Sequence, residues 1–163
     1  MKISELFYSI QGEGKRAGMP SFFIRTNYCN LRCMFKSGNL CDTSYTSWYP
    51  DDDKNLGETS IESISDKYRE FLCKDIVITG GEPTMYADEL LLLCKKLKKV
   101  NNDSFITIET NGTFIGEFIN YTDLISLSPK LKSSVPFDTP QEKMHEKSRL
   151  NLKVLRKYNS LYK

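Results

Sequence analysis

Asp75-Ile-Val-Ile-Thr-Gly-Gly-Glu-Pro83 decides the fold. Asp75 to Thr79 is short, apolar and β-branched, the composition of a strand buried on both faces of a parallel sheet. Gly80 and Gly81 end it. Ala87 to Val100 then has a leucine-rich first half and a lysine-rich last turn, the charge order a helix macrodipole favours. Outward from this unit, strand, polar turn and helix recur. Upstream, Ile3 to Ile10 and Ser21 to Asn27 read as strands. Between them the glycines of Gln11-Gly-Glu-Gly14 mark a turn where backbone comes close to something. Ser44 to Gly57 reads as a polar loop. Thr59-Ser-Ile-Glu62 is a capping box opening a helix to about Cys73, with Ile61, Ile64, Tyr68 and Phe71 on one face. Downstream, Phe105 to Glu109 is a strand and Thr110-Asn-Gly112 its turn; Phe114 to Asn120 reads as a short helix. Leu124 to Leu127 is a strand running into Ser128-Pro-Lys130. A second capping box, Thr139-Pro-Gln-Glu142, predicts a helix to about Tyr158, and Leu161-Tyr162 the start of another strand. The pattern predicts an α/β fold of parallel βα units with about five strands. Ligands bind such folds beyond the carboxyl ends of the strands. Cys29, Gly80-Gly81-Glu82, Thr110-Asn111 and Ser128 to Lys130 therefore converge on one rim.

Three of the five cysteines crowd one loop: Cys29-Asn-Leu-Arg-Cys33, seven residues, then Cys41-Asp-Thr43. Thiolates are soft ligands that suit zinc or iron–sulfur centres. Structural zinc closes its shell with four protein ligands, so that reading needs Cys73, Cys94 or His145 as a distant fourth. The other reading is a 4Fe–4S cluster with one iron left open for a small molecule. Disulfides fit badly, because the count is odd and Met1-Lys-Ile-Ser-Glu5 lacks an apolar signal core. Cys73 and Cys94 are most simply buried apolar residues. Arg25, inside an apolar strand, needs a partner, either a structural ion pair or an anionic ligand. Asp51-Asp-Asp53 reads as solvated loop.

The 163 residues suffice for one domain, and 39% hydrophobic with 27% charged content is that of a soluble globular chain. No apolar run approaches the roughly 20 residues of a membrane span. A net charge of +2 is too small to argue for nucleic acid. Lys130 to Lys163 holds nine Lys and Arg against three Asp and Glu, a bias expected of a solvated helix face. The expected location is the cytoplasm.

The joint pattern is familiar. Tyr8-Ser-Ile-Gln-Gly-Glu-Gly14, Phe23-Ile-Arg25, Cys29-Asn-Leu-Arg-Cys33, Cys41-Asp-Thr43, Thr79-Gly-Gly-Glu-Pro83, Glu109-Thr-Asn-Gly112 and Ser128-Pro-Lys130 occur in this order. Over residues 5 to 130 the chain resembles the radical S-adenosylmethionine (SAM) enzymes, and within them the 7-carboxy-7-deazaguanine synthase family of queuosine biosynthesis. The resemblance implies that Cys29, Cys33 and Cys41 hold a 4Fe–4S cluster whose open iron binds SAM. It implies that Gly80, Gly81 and Glu82 contact the methionine amino end through backbone and a carboxylate. Ser128, Pro129 and Lys130 would line the nucleoside and methionine, with Asn111 beside them and Leu40 and Asp42 near the adenine. The implied substrate is 6-carboxy-5,6,7,8-tetrahydropterin. Arg25 would fork onto its carboxylate, Ile10, Gln11, Gly12 and Glu13 would read its edge, and Thr79 would add a hydroxyl. Magnesium would sit on Thr43. A flavodoxin or ferredoxin as electron donor and a homodimer are implied as well.

The chain departs from the family twice. The usual cysteine spacing is three residues and then two; here it is three and then seven, so Met34 to Leu40 must bulge out, helped by Gly38. The family also has further strands and a C-terminal tail. The expectation is therefore a single domain over 1–163 that lacks them, a partial (βα) barrel with a mostly parallel sheet. Two rival functions are a radical SAM activase acting on a partner protein and a non-catalytic zinc-binding scaffold.

Overall fold

The β-branched runs do become strands, and their period of two sorts the residues onto two faces. The computed structural model describes residues 1–71 and 73–161. Six strands form one sheet: β1 (Lys2–Ile10), β2 (Pro20–Thr26), β3 (Gly57–Glu58), β4 (Asp75–Gly80), β5 (Phe105–Thr110) and β6 (Leu124–Leu127), in the order β3-β1-β2-β4-β5-β6. β2, β4, β5 and β6 are mutually parallel, with Ser21 opposite Asp75 and Asp75 opposite Phe105. β1 runs antiparallel to both β2 and β3. The sheet is open, as the partial-barrel expectation requires.

One face carries Ile3, Phe22, Ile24, Ile76, Ile78, Ile106 and Ile108, all fully buried. Two helices cover it, α2 (Ile61–Phe71) with Ile64 and Tyr68, and α3 (Ala87–Val100) with Leu90, Leu93, Cys94 and Leu97. Removing such a side chain from water is worth about 1.5–3 kcal/mol, so this layer supplies most of the cohesion. The intervening residues, Phe7, Ser9, Phe23, Arg25, Thr79, Glu109 and Ser126, point to the other face and line a cavity. Core and cavity thus come from alternate residues of the same strands.

Several local expectations are corrected. Ser44–Ser47 is a short helix, α1, inside the stretch read as loop, and the two-residue β3 adds a sixth strand. Ser60, not Thr59, caps α2, accepting the Ser63 amide at 3.1 Å, because Thr59 donates to the Gly57 carbonyl. The 114–120 segment is a 3-10 turn over Glu117–Tyr121. The helix read from Glu142 to Tyr158 is two, α4 (Glu142–Ser148) and α5 (Leu152–Leu161). Asn151 breaks it by accepting the Val154 amide and donating to the Thr113 carbonyl, a helix start in mid-run. Leu161 ends α5 rather than opening a strand, and Tyr162 lies outside the described residues.

Candidate active site

The rim is stitched together by backbone. Gly81 donates to the Thr26 carbonyl at 3.1 Å and Glu82 to the Tyr28 carbonyl at 2.8 Å, fastening the loop after β4 to the loop after β2. The approach leaves no room for side chains. A Cβ on Gly80 would lie 2.2 Å from the Thr26 oxygen, and one on Gly81 2.0 Å from the Tyr28 oxygen. Gly80 also has φ +128°, a region that favours glycine. The loop after β5 joins through Asn111, whose amide donates to Asn30 at 3.0 Å. Glu82 is the buried brace beneath. Its carboxylate accepts the Asn111 amide (2.7 Å), the Thr84 amide (3.0 Å), the Thr110 hydroxyl (2.6 Å) and the Thr84 hydroxyl. Burial pushes its pKa up and these donors oppose the rise.

The cysteine loop solves its spacing problem with a small hairpin. Met34 bridges Leu40, Phe35 donates to the Asn39 carbonyl at 2.9 Å, and Gly38, at φ +80°, turns the chain. The insert projects outward and returns Cys41 to Cys33, whose carbonyl accepts the Cys41 amide at 3.1 Å and the Trp48 indole at 3.0 Å. Arg32 braces the first half by donating to the carbonyls of Cys29 (2.6 Å) and Leu31 (3.0 Å). All three thiols face one cavity of about 420 Å³. Burial pushes Cys29 up to about 12, and the charges of Glu82, Cys33 and Cys41 add to it. Cys33 rises to about 11, mainly through burial and then Cys41, while Lys130 pulls it down. Cys29 and Cys33 keep their protons at neutral pH until a cation displaces them, which is how thiolate metal sites load.

Other stretches of the cavity wall are polar. Arg25 donates to Glu5 at 2.6 Å, and Tyr45 donates to the same carboxylate at 2.9 Å. The Arg25 guanidinium lies 5.6 Å from the centre of the Phe7 ring, which stacks on Phe23. Arg25 is therefore both a structural ion pair and a cavity cation. Gln11 donates to Glu109 at 2.9 Å and accepts the Glu13 amide, fixing the Gln-Gly-Glu-Gly turn over the cavity. The Thr43 hydroxyl donates to Asp42 at 2.7 Å and, with burial opposing, holds that carboxyl below its ordinary value.

A profile of the Radical SAM superfamily matches residues 23–158. The chain belongs to the radical SAM superfamily. It is 43% identical over 137 residues to a 7-carboxy-7-deazaguanine synthase of Halobacterium salinarum, covering 83% of this chain and 48% of that one. To the enzyme of the same name from Rhodopirellula baltica it is 40% identical over 157 residues, 94% of this chain and 56% of that one. The crystal structure of QueE from Escherichia coli superposes with a TM-score of 0.65 at 25% identity, over 98% of this chain and 75% of that one. The chain spans about half the length of the curated relatives it matches.

As a radical SAM protein, the chain gathers most of the sequence-predicted residues. Ile10, Gln11, Gly12, Glu13, Arg25, Cys29, Cys33, Cys41, Asp42, Thr43, Thr79, Gly80, Gly81, Asn111, Ser128 and Lys130 all line the one cavity. Leu40, Glu82 and Pro129 are not part of its wall. Leu40 is held in the hairpin, and the Glu82 carboxylate is enclosed by its own donors. The fourth zinc ligand is corrected too. Cys94 is packed in the core, Cys73 donates to the Asp75 carbonyl, and both His145 nitrogens are engaged, one by the Arg32 amide and one by Ser134. Among the described residues no set of three or more His, Cys, Asp or Glu is gathered to hold a single ion. Three thiols around one cavity fit a multi-iron cluster, which is broader than an ion. The five cysteines are free. Glu109, Ser126, Phe7 and Phe23 were missed as wall residues. The signal for Glu109 and Ser126 was the alternation in Phe105 to Glu109 and Leu124 to Leu127, which sets Glu109 on the face opposite Ile108, and for Phe7 and Phe23 the same alternation in β1 and β2.

Proposed function

We propose that this chain works as a 7-carboxy-7-deazaguanine synthase, contracting 6-carboxy-5,6,7,8-tetrahydropterin to 7-carboxy-7-deazaguanine with loss of ammonia. One observation carries the reading: the three thiols and the predicted pterin-side residues share the walls of a single cavity. A 4Fe–4S cluster on Cys29, Cys33 and Cys41, when bound, supplies the electron that cleaves SAM and so generates the radical that starts the rearrangement.

The chain's residues supply position and shielding. The backbone of Gly80 and Gly81, pressed against the Cys29 loop, offers polar groups to the methionine end of SAM. Lys130, hydrogen-bonded to Ser128 at 2.9 Å, stands at the rim on the Cys33 side. Arg25 is held by Glu5 through Nε, which leaves its terminal nitrogens to fork onto the substrate carboxylate. Phe7 and Phe23, stacked on each other, give the cavity an apolar side for a pterin ring. Gln11, fixed by Glu109, keeps the backbone of the 10–13 turn aimed at the pterin edge. Thr79 adds a hydroxyl. Thr43 and Asp42 offer hard oxygens suited to magnesium. A flavodoxin or ferredoxin as electron donor, a homodimer and a cytoplasmic setting belong to the same reading.

The test is anaerobic reconstitution with iron and sulfide, then incubation of reduced protein with SAM and carboxytetrahydropterin. The reading requires deoxyadenosine and carboxy-deazaguanine to form together. Deoxyadenosine formation indifferent to the pterin favours an activase instead. A colourless protein binding one zinc refutes both.

A further inference from the structure

Glu5 and Arg25 face each other across the β1–β2 pair, and Arg25 alone of the two reaches the cavity wall. Their contact is wet: the Glu5 side chain is 43% exposed and that of Arg25 20%. Screened attraction of this kind fixes no geometry by itself. A carboxylate and a guanidinium frequently settle into two parallel bonds, fork to fork. Here Glu5 takes only the inner nitrogen of Arg25, Nε, at 2.6 Å and with a single oxygen, Oε1. The same Oε1 accepts the Tyr45 hydroxyl at 2.9 Å. Among the described residues, the two terminal nitrogens of Arg25 have no hydrogen-bond partner.

Tyr45 is itself held. It lies on α1, and its carbonyl accepts the Asn55 side-chain amide at 3.2 Å. Asn55 in turn accepts the hydroxyl of Ser4, the neighbour of Glu5 on β1, at 2.5 Å. Backbone and hydroxyl of Tyr45 are thus tied to successive residues of one strand. Neither Glu5 nor Tyr45 is part of the cavity wall.

We propose that Tyr45 sets the selectivity of the cavity for a substrate carboxylate. By occupying Oε1 it keeps Glu5 on Nε and off the fork, so the terminal nitrogens of Arg25 stay open to the ligand. The proposal rests on the assignment of Arg25 to the pterin carboxylate made above. Tyr45 is a positioning residue that acts on the substrate through Glu5 and Arg25. Without its hydroxyl, Oε1 loses a donor. Glu5 regains that bonding by swinging onto the fork, where it competes with the incoming carboxylate. The alternative is a plain structural tie of α1 to β1.

The test uses reconstituted protein with SAM bound and the cluster left oxidised, so that nothing turns over. Calorimetry gives the affinities for 6-carboxypterin and for pterin, the same ring without the carboxylate. Wild type is expected to prefer 6-carboxypterin. Tyr45→Phe should cut that preference about tenfold, the worth of one hydrogen bond to a charged group, and leave the affinity for pterin unchanged. Adding Glu5→Gln to Tyr45→Phe should restore part of the preference, since a neutral amide competes poorly for the fork. A Tyr45→Phe variant that keeps the wild-type preference, or that loses affinity equally for both ligands, overturns the proposal. So does a double variant no more selective than Tyr45→Phe. A wild type that binds both ligands alike overturns the assignment of Arg25, and the proposal with it.

Discussion

Gly81 has no space for even a methyl group, since a Cβ would lie 2.0 Å from the Tyr28 carbonyl oxygen. Gly81→Ala must push the loop after β4 off the cysteine loop, and a loss of about 3 kcal/mol is expected in denaturant melts of metal-free protein. This glycine is structural first, and its backbone reaches the cavity because it is structural. Arg25 makes the complementary point. Arg25→Lys can keep the ion pair with Glu5 but not a planar fork. The KM for carboxytetrahydropterin should rise roughly tenfold while pterin-independent SAM cleavage stays the same. A change in cleavage without a change in KM would place Arg25 on the cofactor side. The sequence made Arg25 visible as a charge in an apolar strand but left its partner open. Glu5 could not be found from pattern, because its pairing depends on the β1–β2 register and a bulge between Ile3 and Glu5. Glu82 makes a related point: its motif marks the site, while the direction of its carboxylate is set by Thr84, Thr110 and the Asn111 amide.

β4 is the element on which both layers rest. Ile78 is fully buried between β2 and β5 and against the helices, so Ile78→Ala should cost about 2–5 kcal/mol in equilibrium unfolding. The cysteine hairpin is the opposite case. Lys36, Ser37, Gly38 and Asn39 are all exposed, and the ties that bring Cys41 to Cys33 lie at its base. Shortening this tip should leave the melting temperature and the iron content unchanged; a loss of iron would show that the tip, not the base, closes the thiol set. The strands with strong β-branched runs were legible because burial of one face requires period two. β3 was not, since two residues carry no period, and it exists because β1 offers Lys2 and Ile3 as partners. The break between α4 and α5 was hidden too, because Asn151 caps only when the Thr113 carbonyl is present to take its amide.

At the scale of the molecule, a hydrophobic layer of helices and isoleucines supports a polar concave face, and the rim collects what the strand ends deliver. That arrangement follows from alternation and from the placement of ligands beyond parallel strands. The wall residues Glu109 and Ser126 are readable by the same rule, because alternation along β5 and β6 sets them on the cavity face. Thiol burial gives the whole chain a pH signature. Cys29, Cys33 and Cys94 hold their protons more tightly folded, to about 12, 11 and 12, than at the ordinary value of 9.0. Their contribution to stability is present below pH 9.0 and is lost as pH rises toward those values. Metal-free protein should melt at progressively lower temperature above pH 9, with a shallower fall in Cys33→Ala.

The central claim is that three thiols leave one corner of an iron–sulfur cluster open to SAM. It is tested most directly by iron and sulfide analysis, with deoxyadenosine release, of reconstituted wild type and of Cys29→Ala, Cys33→Ala and Cys41→Ala. About four irons per wild-type chain and SAM cleavage that each alanine abolishes are predicted. Any one of the three variants that retained wild-type iron and cleavage would contradict it.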